Sequence, residues 1–225
     1  MSNSFRALSA LLAYPTEELR EAIADIGSIL VDDGLVGARE RADLWPLLAE
    51  LRNDDLYELQ ERYVGLFDRS RTLTLNLFEH VHGESRDRGQ AMVDLAALYE
   101  RGGLTMTANE LPDYLPLLLE YASTRPLAEA RQLLADIAPI VAALRERLSE
   151  RRSTYAGVFA ALLAIAGNAG AEPAELAAPA DIDADWSEDP VAFGPEAAPG
   201  CSSDRTISRI RAARRDARAE ETNHV

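Results

Sequence analysis

Apolar residues return every three or four positions over several stretches of residues 1 to 170, a region dense in the helix formers Ala, Leu, Glu and Arg, and together these predict one helix after another. Thr16 followed by Glu17 and Glu18 reads as an N-cap with acids in the first turn. Leu19, Ile23, Ile26 and Leu30 then line one face, to an expected end near Asp32 to Gly34. Asn53 and the two acids after it are expected to open another helix, with Leu56, Leu59, Tyr63, Leu66 and Phe67 as its stripe. Between Ser85 and Arg101 the helical positions are Met92, Leu95, Leu98 and Tyr99, and Gly102-Gly103 is a stop signal. A further helix follows soon after. From Leu127 the series Ala130, Leu134, Ile137, Val141, Leu144 and Leu148 describes the seam of a bundle helix. Pro139 lies inside it and is expected to kink it, at ~3 kcal/mol unless packing accommodates the bend. Tyr155 to Asn168, apolar on most sides, reads as a central helix. Thr72 to Leu77 instead alternates with period two, which predicts an extended segment with His80 and His82 on its polar parity.

Runs of Val, Ile and Thr are scarce, so the expected fold is all-α: a single helical-bundle domain over residues 1–170. Composition changes in the remainder, 171–225. Residues 172–200 hold eight acids, no base and five prolines, and Arg205 to Arg218 then holds six arginines opposed only by Asp216. A long acidic, flexible C-terminal tail is the expectation, with the Arg-rich stretch either solvated or clasped to the acidic one.

Charge and composition narrow the function. The net charge of −15 disfavours nucleic acid and anionic lipid, both of which are held by clustered cations. All 23 basic residues are arginine, which excludes lysine nucleophiles, Schiff bases and P-loops. The single cysteine, Cys201, cannot form an internal disulfide, and Met1 to Pro15 carries no secretory signal pattern, so the cytoplasm is the expected compartment. Val158 to Ala171 is too short to cross a bilayer, so no membrane insertion is expected.

The densest polar cluster is Phe78-Glu79-His80-Val81-His82-Gly83-Glu84-Ser85-Arg86-Asp87-Arg88-Gly89. Two histidines raise the question of a metal-dependent hydrolase, but Glu79 and Glu84 do not fall at the spacing of a known ligand triad. The alternative is a long connection whose polar groups bond the backbone, with Ser85 or Asp87 capping the next helix. No metal, cofactor or catalytic residue is assigned. In Asn109-Glu110-Leu111-Pro112-Asp113-Tyr114-Leu115-Pro116, an N-cap at Asp113 puts Pro116 at the third helical position, within the first turn. Glu110 and Asp113, costly to bury unpaired, are expected to face solvent or a partner.

At these two segments the chain closely resembles the NarJ family, the δ subunits of respiratory nitrate reductase that act as molybdenum cofactor assembly chaperones. The likeness runs from Tyr63 to Arg69, almost unbroken from Leu77 to Leu95, through Glu110 to Pro116 with Leu119 to Tyr121, and through Asp136 to Ile140; Trp186, Glu188, Val191 and Phe193 echo it. Position 114 is Tyr where the family often has His, which removes a pH-sensitive group there but keeps a hydrogen bond. The resemblance implies a TorD-like helical bundle that is not an enzyme. Its partner would be the apo catalytic (alpha) subunit of nitrate reductase, especially the N-terminal segment, held ready for cofactor insertion and kept from premature membrane attachment. Cofactor-delivery proteins are a further partner class, and a different molybdenum reductase is the alternative client. Monomer and homodimer both stay open. The client groove expected from it comprises Tyr63, Phe67, Leu75, His80, Arg88, Met92, Glu110, Asp113 and Tyr114, with Tyr63, Phe67 and Met92 also readable as plain core.

Overall fold

A computed structural model describes residues 2–82, 87–106, 110–167 and 172–174. All belong to the first of two units, Met1–Pro179; the second, Ala180–Val225, lies outside the described residues, and with it the Arg-rich stretch and all of the expected flexible tail but residues 172–174. Among the described residues the regular elements are all helices, with one isolated β-bridge between Asn76 and Tyr114. Its elements are α1 (Asn3–Leu11), α2 (Glu17–Asp32), α3 (Ala38–Asn53), α4 (Leu56–Tyr63), a π turn (Val64–Asp68), α5 (Leu77–His82), α6 (Asp87–Arg101), α7 (Leu115–Thr124), α8 (Leu127–Glu150) and α9 (Ala156–Ile165). None of these helices is long and apolar enough to cross a membrane.

The chain ends its helices where its local chemistry says it should. The Thr16 hydroxyl accepts from the Leu19 amide at 3.2 Å, and Gly34, at φ +66°, follows the end of α2. After α6 the chain turns at Gly103, φ +82°, a conformation costly for any residue with a Cβ. There the Leu104 amide donates back to the Tyr99 carbonyl. Asp33, just past α2, serves α1 at a distance: its carboxylate accepts from the Ser4 amide and from the Ser2 and Ser4 hydroxyls. Burial pushes that carboxyl up, but the hydrogen bonds outweigh it and hold the group below its usual range.

Helix α9 is the hub. Val158, Phe159, Ala161, Leu162 and Leu163 are buried, and the helix packs on α8 and α3. At Gly157 the α3 backbone comes so close that an added Cβ would stand 2.5 Å from the Asp43 carbonyl oxygen. Helix α1 packs on α7, where the buried Ser9 hydroxyl donates to the Pro116 carbonyl at 2.8 Å.

Four expectations need correction. Asn53 does not open a helix; it is the last residue of α3, and Asp55 caps α4 by accepting from the Tyr57 and Glu58 amides. The seam of α8 begins at Ala130, since Leu127 is 39% exposed at the helix start. Pro116 is the second helical position of α7, with Tyr114 at the cap, because the Asp113 side chain is occupied elsewhere. The expected extended segment is replaced by a turn at 71–73, where the Leu73 amide donates to the Ser70 carbonyl, and an isolated bridge at Asn76; the stretch with His80 and His82 is helical, so the period-two parity does not reach them. Ser85 lies outside the described residues, and α6 begins at Asp87. Helix α8 runs through Pro139, whose carbonyl accepts from the Ala174 amide at 2.9 Å.

Candidate functional site

The turn leading to Asn76 buries Leu73, Thr74 and Leu75 in succession, without the expected alternation, and lays the segment beside the approach to α7. Asn76 and Tyr114 form an isolated antiparallel bridge: the Leu115 amide donates to the Leu75 carbonyl at 2.9 Å, and the Leu77 amide to the Asp113 carbonyl at 3.0 Å. Two segments far apart in sequence are thereby held side by side.

The π turn faces this pair. The Arg69 amide reaches back five residues to the Val64 carbonyl at 2.9 Å, the widened turn often found where a helix serves a site. Tyr63 and Phe67 project from either end of it, their rings 5.0 Å apart, and both also meet Tyr155. The Tyr63 hydroxyl donates to the Leu12 carbonyl at 2.9 Å and stands 3.3 Å from the Tyr114 hydroxyl. Burial is the largest influence on both phenols and pushes both up, so the pair is neutral at physiological pH.

These elements enclose a recess of about 350 Å³ lined by Tyr63, Phe67, Leu75 and Tyr114 together with Asp68, Arg71, Thr74, Asn76 and Glu79. A second recess, about 670 Å³, lies on the other side of Tyr114 and carries Arg6, Tyr14, Glu110, Glu120 and Leu117 among its lining. Tyr114 is common to both, and acids outnumber arginines along the two linings.

Of the expected groove residues, Tyr63, Phe67, Leu75 and Tyr114 share the first recess, and Glu110 is exposed in the second. Tyr63, Phe67 and Leu75 are buried, so they are core and recess wall at once. His80 sits behind the wall at 8% exposure, its Nε2 2.8 Å from the Thr74 carbonyl. Desolvation lowers its pKa, with Arg147 adding to the effect. Arg88 reaches the site through Glu79, at 3.2 Å. Met92 is half-buried on α6 and lines neither recess.

Asp113 is the one residue placed opposite to expectation. It is 0% exposed, so it faces neither solvent nor an open groove. Its Oδ2 accepts from the Phe78 amide at 2.9 Å, while Oδ1 is buried without a hydrogen-bond partner. Desolvation raises its pKa, opposed by the Phe78 hydrogen bond and by Arg88. The reasoning that charge resists burial fails here because the carboxylate answers a backbone donor.

Sequence reasoning missed Asp68, Arg71, Thr74, Asn76 and Glu79 on the first lining and Arg6, Tyr14 and Glu120 on the second. Thr74 and Asn76 were within reach, since they occupy the polar parity of the alternating segment. Among the described residues no three His, Cys, Asp or Glu gather as metal ligands.

Aromatic walls, acidic rims and a pair of adjoining recesses on a helical scaffold define a binding protein. The family model described as nitrate reductase delta subunit matches residues 8–161, and the chain belongs to that family. It is 44% identical over 202 residues to the nitrate reductase molybdenum cofactor assembly chaperone NarJ of Escherichia coli K12, covering 83% of each chain. It is also 39% identical over 208 residues to the probable chaperone NarW of the same organism, covering 88% of this chain and 87% of that one. To the probable chaperone NarJ of Bacillus subtilis it is 35% identical over 170 residues, covering 74% and 90% respectively.

Proposed function

We propose that this protein is a dedicated assembly chaperone for nitrate reductase, acting in the cytoplasm on the catalytic subunit before its molybdenum cofactor is in place. The observation that carries this reading beyond family membership is the double recess meeting at Tyr114. An aromatic-walled hollow supplies apolar anchorage, and Asp68, Glu79, Glu110 and Glu120 bias its surroundings toward a cationic client segment. The N-terminal segment of the catalytic subunit is the client we assign to it. Capture of an unfinished enzyme requires release, which suits a shallow groove of moderate affinity and needs no bond-making residue.

Calorimetric titration with a synthetic peptide covering that N-terminus tests the assignment. Binding at micromolar concentration or tighter, weakened by salt and by Glu110→Gln, is the expected result. No saturable heat with this peptide, alongside saturable heat with the corresponding peptide of another molybdenum reductase, would reassign the client.

A further inference from the structure

We propose that Asp113 is a positioning residue for the client groove, pinning the start of α5 to the approach of α7 so that Tyr114 and Glu110 stand at the recesses. The role as a groove element rests on the chaperone reading; the pinning itself does not.

The geometry separates this from direct contact. Asp113 offers both its main-chain and side-chain oxygens to consecutive amides of α5, Leu77 and Phe78, at 3.0 and 2.9 Å. One residue thereby holds two of the first donors of a helix that lies far from it in sequence. Across the same junction the Leu115 amide bonds the Leu75 carbonyl, so Leu75 to Phe78 of one segment are registered against Asp113 to Leu115 of the other. From the far side the fully buried Tyr99 donates its hydroxyl to the Pro112 carbonyl at 2.8 Å. The Leu111 to Leu115 turn is therefore clamped on both flanks, and the side chain next to the clamp is Tyr114, common to both recesses. With no exposed surface of its own, Asp113 can reach a client only through what it holds in place.

What the junction requires of Asp113 is an acceptor of this shape, not a charge. One oxygen accepts from the Phe78 amide; the other has no hydrogen-bond partner. An asparagine carbonyl supplies the same acceptor at the same position, whereas alanine supplies none.

The test compares Asp113→Asn, Asp113→Ala and Glu110→Gln in the full-length protein, titrated with the N-terminal peptide at several salt concentrations. Asp113→Asn is expected to bind within about threefold of the parent with an unchanged salt slope, and Asp113→Ala at least about tenfold more weakly. Glu110→Gln is expected to flatten the salt slope. Asp113→Asn losing about tenfold or more together with its salt slope, while still folded, would mean that the carboxylate meets a client cation and would overturn the proposal. Amide hydrogen exchange of the unliganded proteins reads the pinning without any client. Phe78 protection should survive in Asp113→Asn and drop about tenfold or more in Asp113→Ala. Unchanged protection in a folded Asp113→Ala, or lost protection in Asp113→Asn, would overturn it. If Asp113→Ala does not fold, the Asn variant decides alone. If the parent fails to bind the peptide while the exchange pattern holds, the client assignment falls and the pinning stands.

Discussion

Two buried ionisable residues beside the groove pull stability in opposite directions with pH. His80 is depressed from its ordinary 6.5, chiefly by desolvation, so the unfolded chain binds its proton first as pH falls. Its contribution is present above 6.5 and is lost progressively below it, toward the folded value. Asp113 is raised from its ordinary 3.8, again chiefly by desolvation, with Glu79 adding to the rise and Arg88 opposing it. Here the folded state holds the proton longer, so the contribution is full below 3.8 and declines as pH climbs through the interval up to the raised value. Asp113→Asn removes the second effect and, with it, the upward pull of that carboxylate on His80. Urea unfolding from about pH 4 to about pH 7 should therefore show the variant gaining on the parent as pH rises, and the variant, with no Asp113 effect to oppose it, losing the His80 contribution on acidification below the histidine's ordinary value. Parallel curves for the two proteins would show that the buried carboxyl titrates normally. This is also where reading by residue type reached its limit: Glu110 and Asp113 look alike in sequence, and only the pairing of two distant segments makes one exposed and the other an internal acceptor.

Helices with a strong apolar stripe and local punctuation were legible in the sequence. Thr16 opens α2, Gly102-Gly103 closes α6, and Leu59, Tyr63 and Phe67 form one buried line. Helix α3 was not, because its sixteen residues carry six charged side chains, Pro46 and an exposed Trp45, and its buried Leu44, Leu47, Leu48 and Leu51 crowd toward one end. With α3 unseen, Asn53 passed for an opening cap. What α3 does for the fold can be tested through two glycines that sequence alone does not distinguish. At Gly157 a Cβ would press on the Asp43 carbonyl at 2.5 Å, backbone against backbone, so Gly157→Ala must push α9 off α3 and should cost about 1–3 kcal/mol. At Gly27, inside α2, a Cβ meets nothing within 4 Å, so Gly27→Ala should be stabilising by about 0.5–1 kcal/mol through helix propensity alone. Urea midpoints moving in opposite directions would confirm both placements; equal shifts would mean that the α3–α9 approach is looser than described.

At the scale of the whole chain the dominant property is its charge, −15 with arginine as the sole base. A field of that sign acts before contact: it draws in a cationic segment, repels anionic ones, and decays over a Debye length of about 10 Å at 0.1 M salt. The walls that would hold the proposed client segment are the neutral Tyr63–Tyr114 phenol pair and Phe67, on which salt has little purchase. Encounter and residence are thus assigned to different parts of the molecule, and stopped-flow kinetics with the N-terminal peptide can separate them. Raising ionic strength from about 20 to about 200 mM should slow association about tenfold and change dissociation by less than about twofold. Replacing Glu110 and Glu120 together by Gln should remove part of the salt effect on association and little of the residence time. Tyr114→Ala should do the reverse, shortening residence while leaving the salt slope of association intact. A salt-independent association rate would place the encounter on the apolar walls instead, and the acids at the rim would then serve only to exclude the wrong clients.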